Sequence, residues 1–311
     1  MIGTMKSMPN TKTQEAAPGT SEETARKYVD LSVVIPAHNE ERAVRETVEE
    51  VRRVLTELPI DFDIIVVDDG STDDTHAQAQ ASGADVIHSS DNAGYGATLK
   101  KGIAAGNSKY VAILDADGTY PPSDLPIMLE MAGKADMVVG DRGTHMKNVP
   151  LIRRPAKFML NSLANYLAQR KIPDLNSGLR VFKRKSLTGF IPLLPMGFSF
   201  TTTITLCMIC SHLTVLYHPI EYGVRIGQSK IRPADFFNFI LLVFRAIVLF
   251  NPLRVFLPLG GILFGLGIVK VIYDIAIGDL SESAIFAFLA AIMIWSLGLI
   301  ADMIARLHLR P

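Results

Sequence analysis

Two acids one residue apart, Asp115 and Asp117, end the run Val111-Ala-Ile-Leu-Asp-Ala-Asp117 and open the turn that follows it. The apolar residues before them read as a buried strand, so both carboxylates fall at a strand end. Two ionised carboxylates about 4 Å apart repel by roughly 4 kcal/mol at an effective dielectric near 20, and such a pair needs a proton or a cation between its members. Mg²⁺ or Mn²⁺ takes one or two protein carboxylates and fills its remaining positions with phosphate oxygens and water, which points to a nucleotide substrate. Asp is also an ordinary residue at a strand-to-loop turn. The pair alone leaves both readings open.

The elements that must position these acids follow an α/β rhythm. Short apolar runs at 31–35, 64–67, 85–88, 110–114 and 137–140 alternate with helix-like stretches near 43–58, 73–82, 97–105 and 123–131. That alternation predicts a mostly parallel sheet, in which ligands sit beyond the carboxyl ends of the strands. Polar residues gather at those ends: Pro36-Ala-His-Asn-Glu-Glu41 after the first run, Asp68-Asp-Gly-Ser-Thr-Asp-Asp74 after the second, and Asp115-Ala-Asp117 after the fourth. Acids there can accept hydrogen bonds from a ribose or a base, Gly70 permits a tight turn, and Ser71 can cap the next helix.

Three stretches, Val33-Val-Ile-Pro-Ala-His-Asn-Glu-Glu41, Ile65-Val-Val-Asp-Asp-Gly-Ser-Thr-Asp73 and Leu114-Asp-Ala-Asp117, together resemble the nucleotide-sugar half of family-two glycosyltransferases of the GT-A fold. With two apolar C-terminal segments, the chain resembles more specifically the polyprenyl-phosphate glycosyltransferases, the group of dolichol-phosphate mannose synthases and undecaprenyl-phosphate sugar transferases. The resemblance implies that Pro36, Ala37, Asn39, Glu40, Asp68 and Asp69 bind the nucleotide sugar, with His38 as a wall of the base pocket. It also implies that Asp115 and Asp117 hold Mg²⁺ or Mn²⁺ on the diphosphate. Many relatives carry Gln two residues after the second acid, where this chain has Thr119, so a third protein ligand is left undefined.

Eleven Lys and Arg residues stand between Arg142 and Lys185 against one acid, Asp174, in a chain whose 31 basic and 31 acidic residues otherwise balance. A basic field of this kind attracts anionic headgroups, and Arg grips phosphate with two parallel hydrogen bonds. Solvated surface charge is the plainer account for Lys147, Lys171, Lys183 and Lys185. By the resemblance, Arg142 and one of Arg153 or Arg154 bind the acceptor phosphate. The segment Asp174-Leu-Asn-Ser-Gly-Leu-Arg180 resembles an acceptor loop, placing Asp174 and Ser177 near the reacting groups. The Gly-containing segment 224–230 offers Arg225 and Lys230 to close over the diphosphate, or is a basic linker to the membrane.

Residues 255–273 and 284–304 are each long and apolar enough to cross a hydrocarbon core. Lys270 can snorkel to the interface near the end of the first span, and Asp302 can pair with Arg306 at the end of the second. Arg245 and Arg254 before the spans and Arg306 and Arg310 after them predict an integral membrane protein with its catalytic domain on the cytoplasmic face. The shorter apolar stretch 236–250 reads as an interfacial helix, with a third span as its rival. The expected division is a disordered leader at 1–29, a GT-A domain at 30–232, a juxtamembrane helix at 233–252, two transmembrane helices at 253–306 and a cytoplasmic tail at 307–311.

Zero net charge excludes a globally basic nucleic-acid binder. Cys207 and Cys210 have zinc or redox spacing but no second pair, so buried thiols are the better reading. Asn92-Ala-Gly-Tyr-Gly96 lacks the third glycine of a dinucleotide loop and reads as a turn before a helix. The expected reaction is inverting transfer of a hexose or related sugar from a UDP- or GDP-linked donor to a polyprenyl phosphate. The partners are therefore the sugar nucleotide, the lipid phosphate and membrane lipid, and self-association is compatible with the sequence. A processive polysaccharide synthase and an inactive nucleotide-sugar-binding scaffold are the alternatives. The first should carry a Gln-x-x-Arg-Trp motif, yet the single tryptophan, Trp295, lies inside an apolar span.

Overall fold

A computed structural model of the chain describes residues 27–143, 162, 165–166, 169–197, 199–223, 252–278 and 282–308, the last with side chains to 305. Seven strands, β1 (Val29–Ala37), β2 (Phe62–Asp69), β3 (Asp85–Ser89), β4 (Ser108–Ile113), β5 (Met137–Asp141), β6 (Arg180–Lys183) and β7 (Val215–Pro219), form one sheet. Its order is β3-β2-β1-β4-β6-β5-β7. The pairs on the β1 side are parallel, as is β5 with β7, whereas β6 runs antiparallel between β4 and β5.

The strand β1 is buried at every position but one, as expected of a central strand covered on both faces. Its side chains alternate between two cores. Val34 joins Val67, Leu99, Ile113, Phe182 and Phe200 on one face, and Val33 and Ile35 join Val48, Val66, Leu114 and Leu125 on the other. Helices α3 (Tyr95–Ala105) and α6 (Phe200–Cys210) cover the first face; α1 (Val44–Thr56) and α4 (Leu125–Ala132) cover the second. In α1 the buried residues Val44, Val48, Val51 and Leu55 recur every three or four positions and make the apolar stripe that seats it. Two further short helices, α2 (Thr75–Ala81) and α5 (Arg184–Thr188), follow β2 and β6.

The sequence reading finds the first five strands and misses β6 and β7. Arg180-Val-Phe-Lys183 is four residues with a base at each end, and it reads as part of a basic loop until its pairing with β4 and β5 is known. The free thiol of Cys207 is buried in α6, and burial pushes it well above its ordinary pKa.

Beyond this layer, α7 (Leu253–Ile277) and α8 (Glu282–His308) pack as an apolar hairpin with mean hydropathy of 2.2 and 2.4 over their most apolar windows. Most of their large apolar side chains point outward, including Ile262, Val269, Phe286 and Met303. Aromatic rings fill glycine gaps between them: Gly260 faces Trp295, Gly267 faces Phe288 and Gly298 faces Phe256. Trp295 donates to the Leu257 carbonyl at 3.2 Å. Both helices exceed the spans expected from the sequence. Asp274, one residue past the expected end of the first span, lies inside α7, buried and paired with Lys270 one turn earlier. The leader to residue 26, the 236–250 stretch, Arg245, Arg310 and the Arg306 side chain lie outside the described residues.

Candidate active site

The carboxyl ends of β1, β2 and β4 bring the three polar segments to one edge of the sheet. Parallel register sets this: Val34 pairs with Ile65 on one side and Ile113 on the other, so the strands end nearly together. Hydrogen bonds then stitch the first two segments. The Asn39 amide donates to Ser71 Oγ at 3.0 Å, Asn39 Oδ1 accepts from the Thr72 amide at 2.8 Å, and the Glu40 amide donates to Thr75 Oγ1 at 2.8 Å. Asn39 adopts a φ of 54° to make this turn, in the left-handed region that Asn tolerates. Pro36 and Ala37 are buried at the end of β1, and His38 Nδ1 meets the Asp69 carbonyl at 2.9 Å.

The two acids of β2 have different partners. Asp69 accepts the Ala93 and Gly94 amides, one on each oxygen, at 2.9 and 2.8 Å, which fastens the start of α3. Asp68 is fully buried, takes the Ser71 amide on Oδ1 at 3.1 Å and meets His88 Nδ1 through Oδ2 at 2.9 Å. Burial works against its charge, but the bonds from Ser71 and His88 outweigh it and hold the carboxyl below its ordinary range. Among the described residues, Asp68 with His76 and His88 also forms a close group of three metal-ligating side chains.

Neutral donors orient both acids of the Asp-x-Asp pair. Tyr95, at the first position of α3, donates its hydroxyl to Asp115 Oδ1 at 2.8 Å. Burial and the adjacent Asp115 charge raise the Tyr95 pKa well above that of a free phenol, so it stays a donor. Thr119 supplies its amide and hydroxyl to Asp117 Oδ1 at 3.1 and 2.6 Å, which gives a role to the position where a Gln was expected. An all-oxygen donor pair suits a hard divalent cation. Space for the acid is reserved by Gly178, where a Cβ would lie 2.4 Å from Asp115 Oδ2. The residues present therefore fit Mg²⁺ or Mn²⁺ held by Asp115 and Asp117.

The same glycine belongs to the loop 174–178, so the expected acceptor loop rests directly on the acid. Its amide donates to the buried Tyr120 hydroxyl at 2.7 Å. At the start of that loop Asp174 receives Arg142 Nε at 2.7 Å and its terminal nitrogen at 2.9 Å, a two-point pair at the end of β5. Burial opposes the Arg142 charge, but the bond to Asp174 more than compensates and raises the guanidinium pKa above its usual value. Tyr222 covers the guanidinium at 5.3 Å and packs edge-on against Tyr120 at 5.1 Å. Ser177 is fully buried, and its Oγ has no hydrogen-bond partner among the described residues.

Two members of the expected basic field are structural. Arg180 is entirely buried and donates to the Leu175 and Ser177 carbonyls and to Thr205 Oγ1, bracing the 174–178 loop from within. Arg184 donates to the Ser108 and Ile103 carbonyls. Arg153, Arg154, Arg225, Lys230, Lys147 and Lys157 lie outside the described residues. Sequence reasoning missed Tyr95, Tyr120, Gly178 and Tyr222. The one local sign was Tyr95 standing between two glycines at a helix start.

The family model for glycosyl transferase family 2 matches residues 32–190, and that for the GtrB C-terminal hairpin matches 251–307. The low-salt glycan biosynthesis hexosyltransferase Agl6 of Haloferax volcanii is 31% identical over 65% of this chain, which spans about half (49%) of that relative. Dodecaprenyl-phosphate galacturonate synthase of Rhizobium johnstonii is 26% identical, with 91% of this chain and 89% of that protein covered. Among solved structures, glucosyl-3-phosphoglycerate synthase from Mycobacterium tuberculosis with Mn²⁺, UDP-glucose and glycerol 3-phosphate matches with a TM-score of 0.52 and 25% identity. That match covers 71% of this chain and 78% of the other.

Proposed function

From the premise that the chain belongs to glycosyl transferase family 2 and carries a GtrB-type C-terminal hairpin, we propose that it transfers a sugar from a nucleoside diphosphate to a polyprenyl phosphate at a membrane surface. One observation carries this reading. The Asp115 carboxylate abuts Gly178, in the same loop whose Asp174 holds Arg142, so a diphosphate site and a phosphate-binding arginine share one edge. The galacturonate synthase relative, matched over most of both chains, supports a polyprenyl phosphate as acceptor.

The loops at 36–41 and 68–74 form the base and ribose side, with Pro36, Ala37, Asn39, Glu40, Asp68 and Asp69 lining or bracing it. Asp115 and Asp117 would hold the divalent ion, which when bound neutralises the departing diphosphate. Tyr95 and Thr119 fix the two acids so that the site is organised before substrate arrives. Arg142 offers a planar fork to the acceptor phosphate, a role in which it exchanges Asp174 for phosphate oxygens. Arg153 or Arg154 would add a second contact, and Arg225 and Lys230 would close over the diphosphate. A phosphate monoester is already largely dianionic near neutral pH, its second pKa being about 6, so its oxygen needs no strong general base. Attack on the anomeric carbon opposite the leaving group inverts configuration. The charge asymmetry around the apolar hairpin supports a catalytic domain on the cytoplasmic side.

The test incubates the full chain in detergent or vesicles with polyprenyl phosphate, Mg²⁺ or Mn²⁺ and a panel of labelled UDP- and GDP-sugars, and counts label in the organic phase. One donor should give lipid-linked sugar, and Asp117→Ala should lower the rate by about 10²–10³-fold, as loss of a preorganised electrostatic element does. Full activity in Asp117→Ala, or label that never enters the lipid, would refute the assignment.

A further inference from the structure

Asp68, His76 and His88 come from three elements that the sheet makes neighbours. Asp68 and His88 are register partners on parallel β2 and β3, and His76 lies in the first turn of α2. Both imidazoles turn Nδ1 toward one oxygen, Asp68 Oδ2, at 2.9 Å from His88 and 3.5 Å from His76. The rings meet edge to face with centroids 4.8 Å apart. His76 Nδ1 is itself buried and has no hydrogen-bond partner among the described residues, a costly state for a ring nitrogen unless something else occupies its lone pair. We propose that these three side chains form a transition-metal site, for Zn²⁺ or an ion of similar preference, distinct from the Mg²⁺ or Mn²⁺ position at Asp115 and Asp117.

The donor set decides the class of ion. Two imidazoles and one carboxylate suit Zn²⁺ and its neighbours, whereas Mg²⁺ favours oxygen alone. Ligand atoms around a tetrahedral Zn²⁺ with bonds near 2.0–2.1 Å stand about 3.4 Å apart. The Asp68–His76 separation of 3.5 Å already matches, and the three ligating atoms lie within 4.8 Å of one another. His88 is half-exposed, so a modest turn of its ring closes the set and leaves the fourth position to water. The Ser71 amide on Oδ1 supplies the outer contact that aims Oδ2 at the histidines. Because Asp68 is also assigned above to the nucleotide pocket, occupancy would withdraw it from the donor, and Zn²⁺ and UDP would each weaken the other's binding. That consequence rests on the functional reading; the site does not.

Zn²⁺ titration of the full chain by calorimetry, in excess Mg²⁺ and without nucleotide, compares wild type with His76→Ala/His88→Ala. Wild type should bind one more equivalent than the double variant. Co²⁺ in place of Zn²⁺ should give the intense visible bands of a tetrahedral site in wild type only. Equal Zn²⁺ binding by both proteins, or only the weak bands of octahedral Co²⁺ in wild type, would overturn the site. Neither measurement needs turnover, so Zn²⁺ binding by a protein that transfers no sugar would support the site while refuting the transferase reading. Adding UDP should lower the apparent Zn²⁺ affinity, and unchanged affinity would overturn the competition.

Discussion

The two halves of the sheet handle charge in opposite ways. On the β1–β2–β4 side the candidate groups are acids that accept from neutral donors: Ser71 on Asp68, the Ala93 and Gly94 amides on Asp69, Tyr95 on Asp115 and Thr119 on Asp117. Their charge is oriented without being cancelled, as suits groups that meet a cation or a ligand hydroxyl. On the β5–β6 side the candidates were arginines, and the fold has engaged three of them. Arg142 pairs with Asp174, Arg180 is buried among carbonyls and Arg184 is bonded to the carbonyls of Ile103 in α3 and Ser108 at the start of β4. The acids at the strand ends thus converge on one edge of the sheet, whereas counting bases along a loop overstates the field available to a ligand.

That contrast can be broken at several points. The largest effect is expected from Arg180→Met, which strands the Leu175, Ser177 and Thr205 acceptors and should cost about 4 kcal/mol by denaturant unfolding, since each buried unsatisfied group costs roughly 1–3 kcal/mol. A change under about 0.5 kcal/mol would mean that Arg180 acts toward ligand and not within the fold. Next, Gly178→Ala puts a methyl 2.4 Å from Asp115 Oδ2, at the seam where the halves touch. A displacement of this order costs about 100-fold in kcat/KM. An unimpaired alanine variant would show that the loop and the acid are independent.

Asp174 tests the pair through pH. Burial pushes its carboxyl up, but Arg142 outweighs that and holds the folded pKa below the unfolded value of about 3.9. The stabilisation is thus complete above that pH and is lost as pH falls through the folded value. Asp174→Asn should be about 2 kcal/mol less stable at pH 7, with a flatter decline below pH 4, measured by chemical unfolding across pH. An identical acid limb in both proteins would contradict the pairing. The smallest effect belongs to Lys171→Ala and Lys185→Ala, both exposed, where stability should stay within about 0.5 kcal/mol and transfer kinetics unchanged. A marked rise in KM for the lipid in either variant would restore weight to the basic field.

The legible parts of the fold were those whose signal is local. Buried parallel strands are continuous apolar runs, and Leu31–Ile35 or Ile64–Val67 announces itself without knowledge of its neighbours. The strand β6 does not, because its charged ends make sense only once Arg180 is seen turned into the core. Asp115 and Asp117 were legible through spacing. Tyr95 was not, since it reaches Asp115 across the sheet from a helix twenty residues earlier. His76 and His88 were silent for the same reason: strand register brings His88 to Asp68 and the seating of α2 brings His76, and neither is a spacing that a motif could hold.

At the far end of α7, Lys270 and Asp274 form an ion pair one helical turn apart. Twenty helical residues cover about 30 Å, the thickness of the hydrocarbon layer, so α7, which is long and apolar enough to cross a membrane, would leave lipid at about the level of this pair if it entered at Leu253. Sinking the helix further would drag two charges into oil, and raising it would strand Ile268 and Val269 in water. In a bilayer the pair would thereby act as a stop on vertical travel. Tyr166 donates its hydroxyl to the Arg254 carbonyl at the opposite end, so the chain at that contact would be held at whatever depth the ion pair sets for the helix.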